Sequence, residues 1–197
     1  MSFKVEFKNY LDDLHKSLCE VSDWMYENPE LGFQEFKTSK HLVDYIQKNS
    51  KSVNYPSHGL ETAFDVTFGE DGPLVVICVE YDALPEIGHA CGHNIIATAS
   101  IGAGLGLKDI ASKLGIRVKL LGTPAEEGGG GKIILINEGA FEDASCSMMI
   151  HPGYEDVVNP TFTTIEQYTV EYFGKDAHAA GAPDQGINAL DAQIQLF

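Results

Sequence analysis

The sequence predicts an α/β protein with a mainly parallel central sheet flanked by helices, followed by the start of a small α+β domain. Three observations carry this. Short apolar runs of strand length alternate with helical stretches up to about residue 150. The first run, Leu74-Val75-Val76-Ile77-Cys78-Val79, is continuous rather than alternating, which requires burial on both faces as in a parallel sheet. Beyond Pro160 the pattern changes to period-two alternation, the mark of an exposed antiparallel strand. A chain of 197 residues is long enough for one domain with a full core, or for one domain and part of another. The expected division is a catalytic-type domain over residues 1–162 and the beginning of a second domain over 163–197.

Over residues 3–26, Tyr10, Leu11, Leu14, Leu18, Val21, Trp24 and Met25 recur at spacings of three and four, predicting an amphipathic helix that Pro29 and Gly32 end. A second helix is expected over 33–47. His15 and His41 lie inside these helices without a ligand-type neighbour at i+4 and are read as structural; His58, in the loop that follows, is left unassigned. The polar stretch after residue 51 is broken by Pro56 and Gly59 and should hold a short strand, a turn and a strand around 62–67. Gly69-Glu70-Asp71-Gly72 is a turn by composition, and the strand over 73–79 follows. An Ala/Gly-rich helix over 91–114 should approach the sheet closely. Strand 118–122, helix 132–138 and strand 147–150 complete the alternation. The expected strand over 163–173, the loop over 174–183 and the helix from 187 to 197 read as the first βα unit of a domain whose remainder is absent.

Composition removes several classes of function. A formal net charge of −16 with scattered lysines repels a polyphosphate backbone, so nucleic acid is not an expected partner. The longest apolar run is strand length, so no membrane association is expected. The amino terminus lacks the apolar stretch of a secretion signal, and the four cysteines are widely spaced. A cytoplasmic location with reduced thiols follows as an expectation.

Ligands in such sheets sit at the carboxyl ends of the strands. Glu80 and Asp82 follow the first apolar strand, Glu126 and Glu127 the second, and His151 the third; Cys91 and His93 open the helix after the first. Taken alone, Cys91 reads as a small buried residue and Glu126-Glu127 as a helix cap. Four segments delivering thiol, imidazole and carboxylate to one edge point instead to a metal site. Adjacent carboxylates allow one to ligate while the other takes the proton of a water activated by the cation. The glycine run 128–131 is no phosphate loop, because Glu126 and Ile133 stand where a glycine and a Ser or Thr are required; Gly102-Ala103-Gly104-Leu105-Gly106-Leu107 lacks the last glycine of a dinucleotide fingerprint.

Tyr81-Asp82-Ala83-Leu84-Pro85, His89-Ala90-Cys91-Gly92-His93, Pro124-Ala125-Glu126-Glu127-Gly128, His151-Pro152-Gly153 and Ala177-His178-Ala179-Ala180 together resemble the zinc amidohydrolases of the aminoacylase and carboxypeptidase superfamily. The subgroup most similar holds indole-acetyl-amino-acid hydrolases, hippurate hydrolase and p-aminobenzoyl-glutamate hydrolase, and the resemblance covers its amino-terminal half. It implies a zinc-exopeptidase-like catalytic domain with Cys91, His93, Glu127 and His151 as metal ligands and Glu126 as general base. It further implies Asp82 as support behind the site and His178 as oxyanion donor, reaching from a lid and dimerisation domain across a homodimer interface. Two divalent ions per complete subunit are implied, zinc first, with manganese or cobalt also accepted. The implied reaction is hydrolysis of the amide bond of N-acyl amino acids or dipeptides. Asn94 stands where many relatives carry Asp, and the histidine that closes the second metal in the family, near the end of a chain roughly twice as long, has no counterpart here. The competing expectation is a catalytically inactive metal-binding or dimerisation fragment of such an enzyme.

Overall fold

The computed structural model describes residues 2–196 apart from Lys51, Asn159, Phe162, Ile165 and Gln167. By its contacts the chain divides into two units, Met1–Tyr154 and Glu155–Phe197. Phe162, where the sequence analysis ended the first domain, lies outside the described residues.

The first unit is built on a four-stranded sheet in the order β1-β3-β2-β4, formed by β1 (Asp65–Phe68), β2 (Leu74–Val79), β3 (Arg117–Gly122) and β4 (Ala144–Met148). β2 runs parallel to both β3 and β4, and β1 lies antiparallel on the outer side of β3. The continuous apolar run therefore occupies an interior strand, covered on both faces as its composition requires. Val79 pairs with Gly122 and Ile77 with Met148, so the three parallel strands end at one edge. Thr123 extends that edge, its N–H and hydroxyl both donating to the Val79 carbonyl (2.8 and 3.0 Å).

Helix α3 (His93–Leu107) packs on the sheet by one face and on α1 (Phe3–Glu27) by the other. A Cβ added at Gly104 would lie 2.5 Å from the Leu120 side chain, whereas Cβ atoms at Gly102 and Gly106 would meet Leu18 at 3.0 Å and Phe7 at 2.7 Å. The small residues thus serve both contacts, with the i, i+4 pair facing α1 rather than the sheet. Val21 and Met25 of α1 complete the core with Ile101, Leu105 and Leu120.

Several boundaries differ from expectation for local reasons. Helix α2 (Phe36–Asn49) starts three residues later than predicted because the Glu30 carboxylate accepts the N–H groups of Lys37 and Thr38 (3.3 and 2.8 Å), capping the helix from outside its own segment. The expected long helix breaks after Leu107, where Lys108 and Ile110 bond three residues back, and resumes as α4 (Ala111–Leu114). The strand expected early in the 51–66 stretch is reduced to isolated antiparallel bridges, Asn54 with Asp65 and Ser57 with Leu60; Lys51 lies outside the described residues. α5 spans Gly131–Asn137. β4 begins earlier than predicted and is mostly exposed, as an edge strand with Ser145 and Ser147 can be.

In the second unit, Lys175 and Ile187 form an antiparallel bridge, Pro183–Gln185 a 3₁₀ turn and α6 the segment Ala189–Leu196. The described residues within 163–173 are not in a strand; Ile165 and Gln167 of that prediction, and Phe197 of the predicted last helix, lie outside the described residues.

Candidate metal centre

At the carboxyl edge of the sheet the strand ends and the start of α3 converge. Asp82 ties them together. Its carbonyl and Oδ1 accept from His93 Nδ1 (2.8 and 3.1 Å), and its Oδ2 accepts the Glu127 N–H (2.8 Å). A carbonyl oxygen can only accept, so His93 carries a proton on Nδ1, and on the neutral ring Nε2 is the free acceptor. Burial works against the ionised Asp82, but the His93 and Glu127 hydrogen bonds prevail and hold its pKa below the ordinary value. Burial likewise opposes charge on His93, and Asp82, Glu80 and Glu127 together raise its pKa.

Around His93 Nε2 stand three carboxylates: Glu80 Oε2 at 3.4 Å, Glu127 Oε1 at 3.7 Å and Glu126 Oε2 at 3.8 Å. They differ in access, with 43% of the Glu126 side chain exposed against 21% for Glu127 and 2% for Glu80. Burial, then repulsion from Glu80 and Glu127, raises the Glu126 pKa. The His151 ring meets the His93 ring edge-on at 5.9 Å, and its Nδ1 donates to the Pro152 carbonyl (2.8 Å), again leaving Nε2 free. The Cys91 thiol hydrogen-bonds Glu127, which together with burial and the neighbouring carboxylates pushes its pKa up to about 11. The structure thus brings Cys91, His93, Glu126, Glu127, Asp82 and His151 into one cluster.

The β3–α5 loop presents Glu126 and Glu127 through a constrained backbone. Ala125 has φ +55°, and its N–H donates to Glu35 Oε1 (2.8 Å) while Thr62 donates to the other Glu35 oxygen (2.9 Å). A Cβ at Gly131 would sit 1.9 Å from the Pro124 carbonyl oxygen, so the glycine run closes the loop on itself. The residue before α5 is Gly130, and among the described residues no side-chain hydrogen bond caps the start of that helix.

The donors fit a divalent cation. Among the described residues, His93 Nε2 and Glu80 Oε2 are buried without a hydrogen-bond partner and lie 3.4 Å apart. Donors about 2.1 Å from a common tetrahedral centre are separated by about 3.4 Å, close to the separations found here. Among the described residues, Glu80, His93 and His151 form one group, and His93, Glu126 and Glu127 another, with ligand atoms within 4.8 Å of one another. Each histidine also satisfies its second nitrogen with an oxygen acceptor, the usual support of a ligating imidazole.

Sequence reasoning placed Glu80 at this edge but not among the ligands, and it missed Glu35 and Lys132 altogether. An acid directly after a buried strand was the available signal for Glu80; the helix periodicity gave none for Glu35. Asn94 uses its amide to bind Ser22 Oγ (3.0 Å), tying α3 to α1. His41 stacks on Trp24, 4.1 Å between centroids. An open cleft of about 480 Å³ beside the cluster is lined by Tyr26, His89, Cys91, Asn94 and His151. In the second unit, His178 Nδ1 accepts the Gly181 N–H (2.9 Å), which leaves the ring proton on Nε2. No helix among the described residues is long and apolar enough to cross a membrane.

No family model matches the chain. It is 38% identical to the Xaa-Arg dipeptidase of Mus musculus, over 95% of this chain and 47% of that protein. It is 29% identical to a p-aminobenzoyl-glutamate hydrolase component of Escherichia coli, over 95% of this chain and 44% of that protein. A dinuclear metal-binding peptidase of the M20 family from Bacillus subtilis superposes with a TM-score of 0.63 and 26% identity, over 69% of this chain and 42% of that one. The chain spans about half the length of the curated relatives it matches.

Proposed function

We propose, because this chain belongs to the M20 peptidase family, that it supplies the metal-binding edge of an amidohydrolase or dipeptidase acting on N-acyl amino acids or dipeptides. The observation that carries this is the buried His93 Nε2, ringed by three carboxylate oxygens at 3.4–3.8 Å. The proposed ligands are Cys91, His93, Glu127 and His151, serving two divalent ions in each complete subunit. A mixed thiolate, imidazole and carboxylate set favours zinc and also accepts manganese or cobalt.

When bound, the ions polarise the scissile carbonyl and bring the pKa of a water toward neutrality. Glu126 is assigned the proton transfer, since its carboxylate is the most open of the three and its raised pKa brings it closer to a working base. It takes a proton from the attacking water as the new C–O bond forms and returns one to the departing nitrogen as the C–N bond breaks. Asp82 orients His93 and fixes the Glu127 backbone. Cys91 would hold an ion as its thiolate, the form a divalent charge beside it would favour.

His178 is the proposed oxyanion donor, through an exposed ring whose proton lies on Nε2. We assign it to a lid that pairs two subunits into a homodimer, so that it serves the neighbouring copy's site. A cytoplasmic location is proposed from the four cysteines, all free.

The test is metal content per chain together with hydrolysis of a panel of N-acyl amino acids and dipeptides by the intact protein. Dipeptides ending in arginine lead the panel because of the mouse relative's name. Bound zinc, manganese or cobalt with amide hydrolysis lost on chelation is expected; hydrolysis that survives complete metal removal refutes the reading.

A further inference from the structure

The Glu80 carboxylate is nearly inaccessible, and each of its oxygens has a different neighbour. Oε1 is paired with Lys132 Nζ, from the first turn of α5. Oε2 has no hydrogen-bond partner among the described residues and faces His93 Nε2 at 3.4 Å. On the neutral ring the His93 proton faces Asp82, and this contact then sets one lone pair against another. Burying an unpaired acceptor beside another acceptor is costly unless a proton or a cation lies between them. The His151 ring, with its own Nε2 free, closes the third side of the same group.

The geometry points to Glu80 as a further metal ligand, binding through Oε2 while Lys132 holds Oε1, in company with His93 and His151. This deepens the proposed function and rests on that reading of a metal centre. Lys132 fixes the carboxylate in a one-oxygen mode and offsets one negative charge in a cluster that already contains Asp82, Glu126 and Glu127. The alternative is that Glu80 serves only to neutralise Lys132, and the two accounts separate when both residues are changed together.

The experiment measures zinc affinity by competition with a chromophoric chelator, and the visible spectrum of the cobalt-loaded protein, for intact wild type, Glu80→Gln, Lys132→Gln and the double variant. If Glu80 ligates, Glu80→Gln should raise the zinc dissociation constant about 100-fold, at or beyond the upper end of what loss of an outer partner costs. The double variant should stay as weak, the cobalt bands should change in both, and Lys132→Gln should keep its metal. Restoration of wild-type affinity and spectrum in the double variant would overturn the proposal, as would an unaffected Glu80→Gln. Should Glu80→Gln fail to fold as apoprotein, Glu80→Asp keeps the charge and retracts the donor by one methylene. Weaker zinc binding in that variant supports ligation and unchanged binding refutes it. A wild-type protein that binds no metal at all would refute the proposed function instead, which is how the two failures are told apart.

Discussion

Asp82 and His93 are joined twice, by the backbone carbonyl at 2.8 Å and by Oδ1 at 3.1 Å, while the remaining oxygen of Asp82 holds the Glu127 N–H at 2.8 Å. One buried carboxylate therefore sets the tautomer of one proposed ligand and the position of another. Asp82→Asn keeps the size but removes the charge, and metal affinity should fall about 10- to 100-fold, the range expected for a partner behind a ligand. Competition with a chelator checks it; unchanged affinity would mean that the bond from His93 to the Asp82 carbonyl suffices alone.

Glu126→Gln should lower turnover by about 10²- to 10⁴-fold or more while metal content stays at the wild-type level, because only a proton acceptor is lost. The measurements are kcat and metal analysis on the same preparation of intact protein. Loss of metal together with activity would mean that the roles of Glu126 and Glu127 are reversed.

Gly131→Ala should open the β3–α5 loop. The added Cβ would lie 1.9 Å from the Pro124 carbonyl oxygen, a backbone atom that cannot yield without displacing Ala125 and the two glutamates beyond it. Stability should fall by about 1–3 kcal/mol, as for other overpacked sites, and metal affinity should fall with it. Urea unfolding and chelator competition read the two effects.

Burial, ahead of its hydrogen bonds, raises the Glu35 pKa. A carboxyl whose folded pKa lies above its unfolded one contributes stability that is full below the unfolded value and is lost as pH rises through the folded value. Glu35→Gln stays neutral throughout and keeps an oxygen for the Ala125 N–H. Its stability relative to wild type should therefore rise with pH once the unfolded carboxyl begins to ionise, at about pH 4, and level off above the raised folded value. Thermal melts at a series of pH values test the sign; a relative stability that falls over this interval contradicts it.

The parts of this arrangement that lie close in sequence were legible there. The unbroken run 74–79 announced an interior strand, and acids or histidine after successive strands announced the edge where ligands gather. The pairings that bridge distant segments were not. Glu35 reaches a loop 90 residues on, and Lys132 reaches back 52 residues to Glu80, so neither leaves a periodic trace. Glu30 shows the same limit on a small scale: its capping of α2 from the preceding loop moved the helix start in a way that apolar spacing does not encode. Exposed β4 was misjudged at its boundaries because an edge strand needs only one buried face, and its alternating serines blur the apolar signal.

Whether Cys91 shares a cation with imidazole and carboxylate donors is decided by X-ray absorption at the zinc edge of the intact protein, with Cys91→Ser beside it. A sulfur shell at about 2.3 Å together with nitrogen and oxygen at about 2.0–2.2 Å is expected, with the sulfur shell lost in the variant. A wild-type spectrum with only nitrogen and oxygen neighbours, or a sulfur shell that survives Cys91→Ser, would exclude the shared cation.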